Sequence, residues 1–402
     1  MAGLSTTEQA AIDVARAEPM LDQVLRWVPV NSGTRNLAGL STMAGLLADS
    51  FAILPGHISL VDPSPVESVT AEGTVIAIEH GKHLRVTVRP DAPVQLVLTG
   101  HMDTVFAVDH SFQTISTLPD GSLNGPGAAD MKGGIAVMLA ALKAVESSSV
   151  ASRIGYDVVL NSDEETGSLS SANLIAAAAH GKLAALTYEP ALPDGTLAGA
   201  RGGTGNFSIT IHGRSAHAGR NPDEGRNAIV AAADVALRLA AARSPGLSVN
   251  PARIDGGGPN NVVPDLAVLR VNFRPRSHEE IHRAQALIDR VVAQVATDHD
   301  VRIDVHGSFN RPPKPIDAGA ARLFDLVKRA GADLGLSIGW RDTGGVCDGN
   351  NIAACGVPVV DTMGVRGGAI HSADEFLIPD SLPERAALSA LTILRIAERG
   401  QL

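Results

Sequence analysis

Three nearly continuous apolar stretches limit what this chain can become more than any other feature. Val94–Thr99, Tyr156–Asn161 and Leu183–Thr187 have strand length, and helical patterns at Lys132–Ser147 and Leu169–Ala179 lie between them. A strand with one wet face alternates apolar and polar residues, whereas a run apolar throughout suits a strand buried on both faces. Strand, helix and strand in turn then describe a sheet with crossover helices packed on it. A helical start over Thr6–Val28 and strand patterns at Gly73–Glu79 and Leu84–Val88 extend the same unit toward the N-terminus. The fold class read from these elements is α/β, a mixed sheet in an α/β/α sandwich.

The pattern changes after Pro190. Asp194–Gly205 carries five glycines and reads as a linker. Beyond it come a strand at Asn206–His212, a helix at Asn227–Ala242, strands at Leu247–Ile254 and Leu266–Phe273, a helix at Glu279–Thr297 and a strand at Val301–Val305. That β-α-β-β-α-β order is the split ferredoxin-like unit, which leaves one sheet face or edge open. After the Pro-rich Arg311–Pro315, the α/β pattern resumes and ends in a long helix at Leu382–Glu398. The chain is therefore expected to divide into residues 1–202, an inserted α+β domain at 203–312, and residues 313–402, which complete the first domain.

Composition narrows the class of partner. The formal charge is −10, and no run of Lys or Arg is present, which argues against nucleic acid or an anionic membrane and for a small-molecule substrate. The longest apolar runs, such as Ile135 to Leu142, are far short of the ~20 residues that span a bilayer. Met1–Pro19 lacks the basic start and apolar core of a secretion signal, so the expected location is cytoplasmic. Cys347 and Cys355 stand eight positions apart, match no zinc or redox pair, and read as reduced thiols.

The chemistry-bearing residues cluster where predicted strands end, which is where α/β sheets place ligands. Val94–Thr99 runs into Gly100-His101-Met102-Asp103, and in extended backbone His101 and Asp103 share one side, so Asp103 can orient the His101 ring. In Gly125-Pro126-Gly127-Ala128-Ala129-Asp130-Met131-Lys132-Gly133-Gly134, two glycine clusters flank Asp130 at a helix entrance; an ordinary helix cap is the plainer alternative. Ser162-Asp163-Glu164-Glu165 puts three acids in a row, an arrangement that needs solvent or a cation. Tyr188-Glu189-Pro190 adds another acid, and Gly367-Gly368-Ala369-Ile370-His371 a second histidine. Two imidazoles and at least three carboxylates suit a pair of zinc-like ions. With Asp130, Glu165 and Glu189 ionised, two divalent ions leave a charge of +1, which one bridging hydroxide cancels.

In their order, GHMDTV, GPGAADMKGG, SDEETG, YEP and GAIHSADEF resemble the dinuclear zinc exopeptidase and deacylase family of glutamate carboxypeptidase, acetylornithine deacetylase, succinyl-diaminopimelate desuccinylase and aminoacylase. The resemblance spans nearly the whole chain and implies His101 and Glu189 on one ion, Glu165 and His371 on the other, Asp130 bridging, and Glu164 as general base. It also implies two divalent ions, zinc first with cobalt or manganese as alternatives, and a cis peptide after Asp130. The insertion resembles that family's lid and dimerisation domain. His217 in GRSAHAG would act across a homodimer, while Asn261 in NNVVP, Arg274 after Phe273 and Arg311 in NRP would hold the substrate carboxylate. Glu164 and Glu165, if extended, would point to opposite sides, one to the attacking water and one to a metal.

The implied reaction is hydrolysis of an amide or peptide bond next to a free carboxylate, as in glutamate carboxypeptidase. Deacylation of an N-acyl amino acid is the alternative, and a metal- or ligand-binding protein without turnover a third reading. Met131 and Ala128 beside Asp130, and Cys347-Asp348-Gly349, depart from the family pattern and bear on the substrate accepted. No G-x-S-x-G, P-loop or G-x-G-x-x-G after a strand supports a serine hydrolase or nucleotide enzyme.

Overall fold

In the computed structural model, which describes residues 3–402, the main sheet has six strands. Across the sheet they run His57–Val61, His83–Val88, Ile154–Asn161, Val94–His101, Ala184–Thr187 and Val359–Val360. His83–Val88 pairs antiparallel with both its neighbours and the remaining pairs are parallel, so the sheet is mixed. Alternate residues divide between two cores, as a two-period requires. Leu96, Leu98, Val158, Leu160 and Leu186 join the large core with helices Gly134–Glu146 and Ser381–Arg399, while Val97, Val159 and Ala185 pack on the opposite face with helices Ala172–Ala179 and Asp348–Ala354. This is the expected α/β/α sandwich.

Several local expectations differ. Thr6–Val28 is two helices, Thr6–Ala17 and Met20–Trp27, because Pro19 lacks the amide that would continue the first. Helix Leu37–Phe51 and strands His57–Val61 and Val66–Val69 were not expected; two glycines and several Ser/Thr residues blur the helical pattern. The presumed linker Asp194–Gly205 contains strand Leu197–Arg201, paired in parallel with Trp340–Thr343.

The inserted residues form a four-stranded antiparallel sheet in the order Leu247–Gly256, Leu266–Pro275, Thr204–His212, Arg302–Arg311. Helices Ala228–Ala240 and His278–His299 cover one face over Phe207, Ile209, Ile211, Val271 and Phe273. The order is that of a ferredoxin-like sheet, and its last strand runs six residues beyond Val305 to Arg311, which brings the hinge to the site. Among the described residues, no helix is long and apolar enough to cross a membrane.

Candidate metal centre

Five side chains far apart in sequence meet at one end of the main sheet. His101 is the last residue of its central strand, and its Nε2 lies 3.0 Å from Asp130 Oδ1 and 3.8 Å from Glu189 Oε2. The other oxygen of Asp130 lies 3.3 Å from His371 Nε2, which is 3.1 Å from Glu165 Oε2. Asp130 thus faces one imidazole with each oxygen, and each imidazole also faces a second carboxylate.

Asp130 owes its position to a distorted turn. Ala128–Gly133 is a π-type turn kinked at Asp130 and Met131, with the Asp130–Met131 peptide cis, and helix Gly134–Glu146 follows. Asp130 is therefore not that helix's cap. A Cβ at Gly134 would stand 2.0 Å from the Tyr188 carbonyl oxygen, so only glycine lets this turn press against the segment that carries Glu189. From beneath, the buried Glu375 carboxylate accepts the amides of Gly127, Ala129 and Asp130 at 3.1, 2.9 and 3.0 Å. Buried Lys132 points away and donates to the carbonyl of Val30 at 2.9 Å.

Glu164 and Glu165 are not extended. They begin a 3₁₀ turn, Glu164–Thr166, and this turn sends Glu164 toward Glu189 and His101 and Glu165 toward Asp130 and His371. Asp103 shapes the turn in addition to standing against the His101 ring. The His101 ring bonds to the Asp103 backbone carbonyl at 2.9 Å, while the Asp103 carboxylate, 3.5 Å from that ring, accepts the amides of Glu164 and Glu165 at 3.1 and 3.2 Å and the Thr34 hydroxyl at 2.7 Å. The third acid of the run, Asp163, turns away to Ser170 and Ser171, which relieves the expected repulsion.

The electrostatics are those of a crowded acidic site. Burial, opposed by the Arg311 charge, pushes Glu164 up to about 7, and burial with the Asp130 charge pushes Glu165 up to about 8. Burial also raises Glu189, while Asp130 is held low because the imidazoles of His101 and His371 outweigh its burial. Burial would lower His101, but Glu189, Asp103 and Asp130 hold it well above its usual range. Hydrogen bonds to Asp130 and Glu165 lift His371 to about 11. Four carboxylates in contact with two imidazoles are an oxygen and nitrogen donor set that divalent cations satisfy, and atoms of His101, Asp130 and Glu165, and of His101, Glu164 and Glu189, gather within 4.8 Å.

The cluster opens into a cleft of about 580 Å³, whose far wall is Arg341, Thr343 and Cys347. A neighbouring cleft of about 690 Å³ shares Arg201 and Thr343 with it and is lined by Arg274 and Arg276. Of the inserted residues, Arg274 is therefore adjacent to the site. His217 and Asn261 lie on two exposed loops that pair with each other and do not line the metal cleft; Ala218 donates to the Asn261 carbonyl at 2.9 Å. Arg311 is not open to a substrate carboxylate. It is buried and faces Glu164 and Asp348.

Sequence reading missed Glu375 and an ion-pair knot at the cleft wall, where the buried Asp361 takes Arg201, which lines the cleft, at 2.6 Å and the buried Lys314 at 3.3 Å. Glu375 stood inside the quoted GAIHSADEF run, but Arg201 lay in the supposed linker and Asp361 had no motif around it.

The profile of Peptidase family M20/M25/M40 matches residues 97–395. Carboxypeptidase G2 of Pseudomonas sp. (strain RS-16) is 31% identical over 310 residues, 74% of this chain and 73% of that one. Succinyl-diaminopimelate desuccinylase of Psychrobacter arcticus is 28% identical over 319 residues, 73% of this chain and 76% of that one. Among solved structures, a tripeptidase from Staphylococcus aureus aligns with a TM-score of 0.73 at 24% identity, over 98% of this chain and 99% of that one, a likeness of fold.

Proposed function

We propose, from the premise that this chain belongs to Peptidase family M20/M25/M40 and is a metallohydrolase, that it cuts an amide bond beside a free carboxylate at two divalent ions, zinc first. The observation that carries this reading is Asp130, set between two imidazole–carboxylate pairs with Glu164 at their edge. His101 and Glu189 would hold one ion, His371 and Glu165 the other, and Asp130 both. Bound there, the ions would supply Lewis acidity toward a water and the scissile carbonyl. Glu164 takes the proton of the attacking water and returns it to the leaving amine, a task suited to its place at the edge of the cluster beside Glu189 and His101.

The inserted domain, taken as residues 203–312, is read as a lid that pairs two chains. His217 Nδ1 accepts the amides of Gly219 and Arg220 at 3.1 and 3.2 Å, so the ring proton sits on Nε2, where it can be donated outward. This tautomer supports His217 as an oxyanion donor in the partner's site. Arg274, beside the cleft, and Asn261 would hold the carboxylate; a guanidinium fork suits both oxygens.

The substrate reading is a glutamate carboxypeptidase-like exopeptidase, supported by the similarity to carboxypeptidase G2. Deacylation of N-acyl amino acids has equal support in the desuccinylases. The test is hydrolysis of dipeptides and N-acyl amino acids ending in Glu, Asp, Ala, Arg or ornithine, before and after chelation and with each metal restored. Turnover that survives complete chelation would sink the reading. Mixing His217→Ala with Glu164→Ala subunits tests the dimer: returning activity supports donation in trans, and none under proven subunit exchange refutes it.

A further inference from the structure

The first turn of helix Asp348–Ala354 lies against three things at once: the segment that follows Glu164 and both connections that cross to the inserted sheet. Its side chains divide this work. Asn350 donates to the carbonyls of Gly202 and Pro312, one on each crossing, at 2.9 and 2.7 Å. Asn351 donates to the Asn310 carbonyl at 3.3 Å. The fully buried Asp348 carboxylate accepts from Asn161 at 2.9 Å and from Ser168, and stands 3.4 Å from Arg311 Nη2.

The last two residues of the inserted sheet in turn grip the Glu164 turn. Asn310 donates to the Gly167 carbonyl at 2.8 Å. Arg311 Nη2 donates to the Glu164 carbonyl at 3.0 Å and the Ser168 hydroxyl at 2.7 Å. Its charge also sits 2.7 Å from Glu164 Oε1, off the N–H direction, so that oxygen and Arg311 Nε both remain buried without a directed hydrogen bond. The ion pair is thus close but not aligned, and buried groups without directed hydrogen bonds carry a free-energy cost. The contacts form one chain: helix to Arg311, Arg311 to Glu164.

We infer that Asp348 is a positioning residue for Glu164, acting through Arg311, and that this link ties the stance of the general base to the hinge of the inserted sheet. The inference rests on the reading of Glu164 as base. It differs from that reading in giving Arg311 to the base and not to the substrate carboxylate. A binder and a positioner predict different kinetics. Removing a carboxylate binder raises KM and weakens product binding; misplacing the base by a fraction of an ångström lowers kcat and leaves ground-state binding alone.

The experiment uses the metal-loaded full chain, with Asp348→Asn, Arg311→Lys and their double variant matched for metal content. Each single change is expected to lower kcat about 10–100-fold, with KM and calorimetric affinity for the released amino acid held within about twofold. The double variant should lose no more than the worse single, because both act on one link. Hydrogen exchange across residues 163–168 gives a readout independent of turnover and should quicken about tenfold in Asp348→Asn. A tenfold loss of product affinity in Arg311→Lys at near-normal kcat, multiplying losses in the double, or unchanged exchange at 163–168 would each overturn the inference. If the unaltered protein hydrolyses no substrate, the amidohydrolase reading has failed, and the exchange result still decides the structural link. Should Asp348→Asn not fold, Asn310→Ala removes the parallel grip on Gly167, and the same exchange comparison decides.

Discussion

The two halves of the candidate centre are built from unlike material. His101 ends one strand of the main sheet and Glu189 follows the adjacent parallel one, and the His101 side chain is 1% exposed. His371 stands in a loop with left-handed backbone at Ala369 and at His371 itself, and its side chain is 53% exposed. The sheet half is precise because its backbone hydrogen bonds are spoken for on both sides and its ring nitrogen is fixed by the Asp103 carbonyl. The loop half gives up that enclosure and faces the cleft. The difference teaches that position and access are supplied by separate parts, with Asp130 joining them.

Asp130→Ala tests that join most severely. It removes the carboxylate common to both halves, so both metals should be lost in elemental analysis and hydrolysis should fall to background; one retained ion would mean that the halves stand independently. Glu164→Gln comes next. It should lower kcat by ~10²–10⁴-fold while both metals stay, because this side chain is assigned to proton transfer and not to holding an ion. Equal metal loss in Glu164→Gln and Glu165→Gln would mean that the division of the pair into base and ligand is wrong.

His101→Ala and His371→Ala compare the halves directly. Either should weaken metal binding. Only His101→Ala should also destabilise the chelated protein, by roughly 1–3 kcal/mol in urea denaturation, since it leaves the buried Glu189 without an imidazole and Asp130 with the half-exposed His371 alone. His371 is half exposed, and water can replace it. Equal destabilisation would remove the distinction between a buried and an open half.

The same contrast explains how much was legible in sequence. Strand-end residues such as His101 and Glu189 announce themselves because a run of buried apolar residues ends abruptly in a polar one. Asp130 and His371 were legible only through surrounding glycines, whose backbone freedom marks a turn without fixing its shape. The split ferredoxin-like order was readable because each element keeps a clean period. What stayed hidden depends on tertiary contact: the strand partner of Leu197–Arg201 is the distant Trp340–Thr343, and the pairing of Arg311 with Glu164 follows from where the hinge strand ends. The expected extended Glu164–Glu165 failed for a related reason, since Asp103 draws both amides into one turn.

Glu375 offers the finest test, because it reaches from the His371 loop to the Asp130 turn and so ties the open half to the closed one. Burial first, and then the Asp130 charge, push its carboxyl up to about 7 against the pull of three amides. Between pH 4.5 and about 7 the folded chelated protein therefore holds a proton that the unfolded chain has released. The sign follows: the contribution of this group to stability is full below pH 4.5 and falls away as pH rises through 7, by roughly 3 kcal/mol. Glu375→Gln cannot titrate, so the stability gap between the unaltered protein and the variant should narrow over that window in urea denaturation of chelated samples. With metal restored beside Asp130, cations favour the ionised carboxyl, and the narrowing should shrink. Parallel stability curves without metal would mean that Glu375 is already ionised at pH 4.5, with its three amides outweighing burial, and that the turn under Asp130 is held as firmly in acid as at neutrality.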